Sequence, residues 1–507
     1  MVHTDEHAGS PRHQHGSRPG SEHSGSGGGE PGPARFAPSR RAFLSASVAS
    51  AAAAAVVPLG PSAAATADVA PAADPGPGLP ATPQLPDAEL RALLREVDPR
   101  RIEATVRRLA AFGTRHTLSS QDDPVRGIGA ARDWIFAQLE GYAAASDGRM
   151  TVQKQSFVQQ PTPRIPVPTV ITNVIATLRG DVAPTRMYVV TGHYDSRVTD
   201  VLNFTSDAPG ADDDASGVAV AMELARLLAT RHTEATLVFA AVAGEEQGLF
   251  GSAYMAQQYK AAGADIQGMF SNDIVGSDTD ENGVRHPHTV RLFADGVPLT
   301  ETAQQAAIRQ AIGGENDSPA RQLSRFVVDV AQNEFTDVTV RVIWRRDRYL
   351  RGSDHISFLQ QGYPACRLTE PAENFAHEHQ DTRVENGVQF GDLVEFCDFR
   401  YVGRVAKVNL ATLWSLAQAP ATPRGVKIDA VVLTNQSTLH WQPGTEPDLD
   451  HYEVLWRETT APDWTHVIPV GNITSVTIDL AKDNVMFGVR VVDSSGHRSP
   501  VAFPQPA

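Results

Sequence analysis

The sequence predicts an α/β domain, a layered sheet with helices on both faces, followed by a small all-β sandwich. Two observations predict it. Between residues 150 and 273, short apolar runs alternate with helical stretches, the pattern of a sheet enclosed by helices. After residue 425 the apolar period falls to two, with turn residues between the runs, as in a chain of short strands. Ligands of such α/β domains gather at the carboxyl ends of the strands.

Residues 1–67 do not read as folded protein. Met1 to Pro38 is rich in Gly, Ser, His and Pro, and Ser39-Arg40-Arg41-Ala42-Phe43-Leu44 then leads into an Ala/Val run ending at Val57. Paired arginines before a weakly apolar stretch match a twin-arginine export signal. Pro58, Gly60 and Pro61 break the run, which is short for a membrane span. The expectation is export to the cell envelope or the exterior, with no membrane insertion once the signal is cleaved. Residues 68–86, rich in Pro and Ala, read as a linker.

Residues 87–417 form the expected α/β domain. Leu90, Leu93 and Leu94 share a helical face, Ile102, Val106, Leu109 and Ala110 repeat the spacing, and a further helix covers Gly127 to Tyr142. Strands are expected at Val152–Val158, Val170–Leu178, Met187–Thr191, Ala235–Ala243 and Gly268–Asp273, with helices at Gly217–Ala229 and Ser252–Ala261. Residues 418–425 read as a second linker. In residues 426–507, strands are expected at Val426–Leu433, Thr438–Trp441, His451–Arg457, Ser475–Leu480 and Val485–Val492.

Composition excludes several functions. The chain has 507 residues, of which 41% are hydrophobic and 20% charged, enough apolar content for a core. Its formal net charge is -15, which disfavours nucleic acid and anionic membranes, since both are held by Lys and Arg. Only Cys366 and Cys397 are present, so a four-cysteine zinc site is excluded and one disulfide stays open.

The chemistry sits at the strand ends. In order these are Gly192-His193-Tyr194-Asp195-Ser196, Gly210-Ala211-Asp212-Asp213-Asp214-Ala215-Ser216-Gly217, Gly244-Glu245-Glu246-Gln247-Gly248, Asn272-Asp273 and His377-Glu378-His379-Gln380-Asp381-Thr382. Two adjacent Glu residues directly after a buried strand need a cation or donors to offset desolvation. Divalent metal ions meet that need, and zinc is the expected ion for mixed His and carboxylate ligands. A pair of such ions requires a bridging carboxylate and a separate carboxylate as base. Asp195, two residues after His193, can accept the second N–H of that imidazole.

This set resembles peptidase family M28, the co-catalytic zinc aminopeptidases and their relatives, over roughly Ile102 to Ala417. The resemblance implies a mixed central sheet of the zinc-exopeptidase type. It implies two zinc ions, one held by His193, Asp213 and Asp273 and the other by Asp213, Glu246 and His377. Glu245 would be the general base and Asp195 the partner of His193. The family often has a cis peptide after the bridging Asp, the first of the two Asp directly before Ala-Ser-Gly. His377, four residues before Asp381, matches the family's last ligand, with His379 as the alternative. Glu378 replaces the family's Thr. Arg351 and Tyr349, beside Ser353-Asp354-His355, are the candidates for holding substrate, and that triplet itself is read as structural.

The resemblance further implies a secreted exopeptidase that takes peptide or protein substrates and releases amino-terminal residues. The alternatives are a carboxypeptidase-type or dipeptidase member of the same fold, or an inactive binding scaffold. The C-terminal strands resemble a fibronectin type III module, a unit expected to engage a surface or polymer. Asp278 to Gly283 begins like a calcium loop, but position twelve is Thr289. Cys366 reads as a small buried residue rather than a nucleophile.

Overall fold

The computed structural model describes residues 76–507. The leader, the twin-arginine signal and the first part of the expected linker lie outside them. The described chain begins with strand β1 (Leu79–Pro80) and helices α1 (Ala88–Glu96) and α2 (Pro99–Ala110). Asp87 caps α1 by accepting from the Leu90 amide at 2.7 Å, and Asp98 caps α2, whose first residue is Pro99. Leu90, Leu93, Leu94, Ile102, Val106 and Leu109 are buried, as their spacing requires.

Helix α3 (Ile128–Ala143) leads into strands β2 (Met150–Gln159), β3 (Thr169–Leu178) and β4 (Ala183–His193). Then come α4 (Gly217–Leu228), β5 (Ala235–Val242), α5 (Phe250–Ala261), β6 (Asp265–Asn272), β7 (Thr289–Ala294), α6 (Ala303–Ile312) and α7 (Pro319–Ala331). Strand β8 (Thr339–Ile343), α8 (His355–Leu359), β9 (Ala365–Thr369), a hairpin of β10 (Arg383–Glu385) and β11 (Val388–Phe390), and α9 (Phe399–Gln418) complete the domain.

The central sheet has eight strands in the order β2-β3-β5-β4-β6-β9-β7-β8. Strands β5, β4, β6 and β9 run parallel, whereas β2–β3, β3–β5 and β7–β9 are antiparallel. The sheet is therefore mixed, with helices on both faces. Every residue of β5 is buried, which explains its unbroken apolar run. Because the central strands are parallel, His193, Val242, Asn272 and Thr369 all end at one edge, where the polar clusters begin. Two glycines let α4 approach that edge. A Cβ on Gly192 would lie 2.3 Å from the Val218 nitrogen, and one on Gly217 would lie 2.2 Å from the Asn272 carbonyl oxygen. Among the described residues no helix is long and apolar enough to cross a membrane. Cys366 and Cys397 are unpaired, and Cys366 is buried.

The C-terminal unit contains β12 (Lys427–Ile428), β13 (Ser437–His440), β14 (Leu449–Glu458), β15 (His466–Gly471), β16 (Ser475–Ile478), β17 (Val485–Asp493) and β18 (Gln505–Pro506). These form two four-stranded sheets, β1-β15-β14-β17 and β16-β13-β12-β18. Three expectations are corrected. The strand expected over Val426–Leu433 reduces to Lys427–Ile428, and Val431, Val432 and Leu433 are exposed. Strand β15 was not expected. The described end of the supposed first linker is structured. Leu79 and Pro80 pair with Val467 and His466, the Trp456 indole donates to the Pro77 carbonyl at 2.7 Å, and Arg498 donates to the Thr82 carbonyl at 2.7 Å.

Asp317, fully buried after α6, accepts from Arg325 of α7 at 3.1 Å and from Arg457 of β14 at 2.6 Å. Removing the shared carboxylate would strand two buried guanidiniums. Asp317→Ala should lower stability by about 3–5 kcal/mol, read from the urea midpoint. His497 lies 3.0 Å from Asp493 and 3.5 Å from Asp87. Hydrogen bonds to those carboxylates push its pKa up to about 9 from 6.5, against burial. A raised folded-state pKa stabilises fully below the unfolded value and ceases to do so as pH rises through the folded one. His497→Gln should therefore lower the urea midpoint near pH ~6 and leave it unchanged near pH ~10.

Candidate metal centre

His193 ends β4 and is fully buried. Its backbone N–H donates to Asp214 Oδ2 at 2.9 Å. Its Nδ1 lies 3.1 Å from the backbone carbonyl oxygen of Asp195 and 3.7 Å from that residue's carboxylate. Asp195 thus meets the imidazole mainly through its main chain. Its side chain accepts instead from Thr117 Oγ1 at 3.0 Å and from the amides of Glu245 and Glu246 at 3.3 and 3.2 Å. One buried carboxylate therefore fixes the turn that presents both glutamates.

His193 Nε2 faces Asp213 Oδ1 at 3.0 Å and Asp273 Oδ1 at 3.9 Å. The other oxygen of Asp213 lies 2.7 Å from His379 Nε2, which is 3.1 Å from Glu246 Oε2. Asp213 thus spans two groups of donors. His193, Glu245 and Asp273 offer ligand atoms within 4.8 Å of one another, and so do Asp213, Glu246 and His379. The peptide joining Asp213 to Asp214 is cis.

The electrostatics report too much negative charge. Burial pushes the Glu245 carboxyl well above its usual range; His193 opposes this, while Asp273 and Glu246 add to it. Asp214 is likewise raised by burial. Burial would also raise Asp213, but His379 and His193 hold it well below the carboxylate range. Burial disfavours charge on His193, yet Glu245 and Asp213 hold its pKa well above the usual value. His193 Nε2 and Glu246 Oε1 are buried and make no hydrogen bond. Orphaned atoms converging among mixed His and carboxylate donors fit divalent cations of the zinc type.

His377 is corrected. It lies outside the cluster, with its ring stacked on Phe396 at 3.5 Å between centroids, and the structure brings His379 to Asp213 and Glu246 instead. Glu378, between the two histidines, is bonded to Arg351. His379 adopts a left-handed backbone with φ 54°. Tyr349 is also corrected. It is 81% exposed, with Arg345 over its ring at 4.1 Å, and it does not line the cavity beside the cluster. Arg351 does line that cavity. Ser353, Asp354 and His355 are buried beneath it. Ser353 Oγ lies 2.9 Å from Ser271 Oγ, and His355 Nε2 meets the Arg346 carbonyl oxygen at 2.9 Å.

Several residues escaped the sequence reading. Arg197 donates to Glu246 Oε2 at 2.8 Å and lies 2.6 Å from His379 Nδ1. Arg367, fully buried in β9, holds Asp273 Oδ1 at 3.0 Å. Asp392 accepts from the amides of Asp212 and Asp213, each at 2.8 Å. A charged residue inside an apolar strand was a usable signal for Arg367; nothing local marks Arg197 or Asp392.

A family model described as peptidase family M28 matches residues 173–386. A probable zinc metalloprotease of Pyrenophora teres f. teres is 55% identical over 432 residues, covering 85% of this chain and 89% of that protein. Another, from Pyricularia oryzae, is 57% identical over 429 residues, covering 83% and 86%. The chain belongs to peptidase family M28. Among solved structures, LapB from Legionella pneumophila is similar over 67% of this chain and 78% of its own, at 18% identity and a TM-score of 0.48.

The M28 match contains every member of the two donor groups. In this M28 chain the two histidines near residue 378 give opposite expectations. His379→Ala should lower the bound metal, measured by elemental analysis, because the donor group of Asp213, Glu246 and His379 loses its one imidazole. His377→Ala should retain the full metal content.

Proposed function

We propose that this M28 peptidase is a di-zinc exopeptidase that hydrolyses peptide bonds. The observation that carries the reading is Asp213, whose two oxygens face His193 on one side and His379 on the other. That arrangement suits a carboxylate bridging two ions. His193, Asp213 and Asp273 would hold one zinc, and Asp213, Glu246 and His379 the other. When bound, the ions polarise the scissile carbonyl and acidify the attacking water.

The chain's own residues do the rest. Glu245 stands beside His193 and Asp273 without being needed in either ligand set, so its carboxylate is free to take the proton of the attacking water. It then returns that proton to the leaving nitrogen. Asp195 holds the amides of Glu245 and Glu246, which keeps base and ligand in register. Arg197 holds Glu246 through its Oε2.

Release of amino-terminal residues is the primary reading of the exopeptidase class, supported by the M28 resemblance of the ligand motifs. Release from the carboxyl terminus uses the same chemistry with the peptide reversed. The proposal extends to export by the twin-arginine route, supported by Arg40-Arg41 and the Ala/Val run after them. It also extends to a fibronectin type III-like role for residues 426–507 in engaging a surface or polymer, supported by their two packed sheets.

Glu245→Gln should lower kcat by about 10²–10⁴-fold with both zinc ions retained, measured on unblocked peptides beside elemental analysis. Full activity with full metal content would overturn the base assignment. An inactive wild-type protein without zinc would point instead to a binding scaffold.

A further inference from the structure

We propose that a divalent cation of the calcium type, held between Glu234, Asp448 and Asp493, pins the sandwich to the α/β domain. Glu234 directly precedes β5, at the edge of the parallel strands opposite the metal centre. Asp448 directly precedes β14, and Asp493 ends β17. Leu449 pairs with Asp493 across those two strands, so their register sets the two aspartates beside each other. The three residues offer carboxylate oxygens within 4.8 Å of one another. The length of β5 separates this cluster from the zinc-type centre, roughly 25 Å at the rise of a strand.

The surrounding side chains do not neutralise it. Among the described residues the Asp448 carboxylate makes no hydrogen bond or ion pair, and its Oδ1 is buried. Arg186, with its side chain 3% exposed, stays 3.8 Å from Glu234 and donates from Nη1 to Glu446 at 3.3 Å. Its Nε and Nη2 are buried without a hydrogen bond. His497 lies 3.0 Å from Asp493 but is shared with Asp87. With Glu446 and Asp87 drawing on the same two bases, acids outnumber bases around the cluster. Burial pushes the Glu234 carboxyl up to about 7 from 4.5; Asp448 and Asp493 add to the rise and Arg186 opposes it.

Converging ligand atoms together with a buried donor atom that lacks a hydrogen bond are the signs that mark the zinc-type centre at His193 and Glu246. Here they recur with carboxylates alone. An all-oxygen set favours a hard cation over zinc. Calcium accepts irregular sets of about six to eight oxygens, completed by carbonyls and water, whereas magnesium demands a near-ideal octahedron. Such a cation gives the buried Asp448 oxygen its positive partner, and the oxygen of its bound water suits the unpaired N–H groups of Arg186. It would join the amino end of β5 to β14 and β17, where like charges otherwise oppose the contact.

The test uses the full chain with its metal centre saturated with zinc, so that added calcium is kept from that centre. Calorimetric titration with calcium chloride should show one site with a Kd of about 10⁻⁴–10⁻³ M, the range of extracellular calcium modules. Calcium at ~10 mM should raise Tm by about 1–3 °C, and magnesium should do less. Asp448→Asn and Glu234→Gln keep the side-chain shape and remove one charge each. Both should abolish the calcium-dependent shift with zinc content unchanged. In calcium-free buffer Asp448→Asn should melt no lower than the wild type, because a like charge has gone; a lower Tm there would count against an uncompensated cluster. Absence of both binding heat and a Tm shift in the wild type would overturn the proposal. So would a calcium shift that survives in both variants. An equal response to magnesium would overturn the choice of calcium.

Discussion

Asp213, Asp214, Glu246 and Asp273 are all buried at the carboxyl edge of the central sheet, with Glu245 at their side, and like charges at that density cannot all ionise in a medium that excludes water. The protein divides the burden unevenly. Asp213 and Glu246 stay ionised because His379 offsets their burial. Asp214 and Glu245 are pushed toward the protonated form. Divalent cations remove the conflict by supplying positive charge at the point of convergence, and binding them releases protons. The donor atoms left without hydrogen bonds, His193 Nε2 and Glu246 Oε1, are the ones such ions would take.

Around this centre several of the donor residues, and the backbone that carries them, are held by polar contacts from the surrounding frame. Asp214 accepts from the His193 and Gly217 amides at 2.9 Å each, tying the end of β4 to the start of α4. Arg367 grips Asp273 at 3.0 Å and is itself anchored to Asp347 at 3.2 Å. Arg115, fully buried, donates to the carbonyl oxygens of Tyr194 and Gly210 at 2.7 and 2.8 Å, and so fixes the loop that delivers Asp213. Outer contacts of this kind set ligand orientation. They also explain why charged side chains penetrate a core where unpaired charge would be prohibitive.

Strands β4, β5 and β6 of the parallel core were legible because each carries an apolar run that ends in a polar cluster, whereas β9, interrupted by Arg367, was not expected. His193, Asp213, Glu245, Glu246 and Asp273 stand at those ends and are brought together. The remaining positions depend on features that spacing does not encode. Counting back from Asp381 selects His377, but pairing of Glu378 with Arg351 and the left-handed turn at His379 decide which imidazole enters the cluster. Tyr349 sits in a loop with no apolar period, so its outward direction could not be read. Arg197 and Asp392 act across long sequence separations. The segment near Leu79 looked like a linker because its partner strand is almost four hundred residues away.

That distant pairing makes the sandwich part of the M28 domain's architecture. Asp87 caps α1, accepts from the Trp414 indole of α9 at 3.0 Å and faces His497, so the first helix, the last helix and the sandwich meet at one carboxylate. Helix α7 carries the connection toward the cavity. Its Arg325 donates to the Pro462 carbonyl of the sandwich at 2.7 Å, and Gln322 accepts from the Trp464 indole at 3.1 Å. From the same face Arg321 donates to the Trp344 carbonyl at 3.0 Å, and Arg325 lies 5.1 Å from the Trp344 ring. Trp344 directly follows β8 and opens the loop that bears Arg348 and Arg351. Helix α7 thus touches both the sandwich and the residue that opens the loop bearing Arg348 and Arg351.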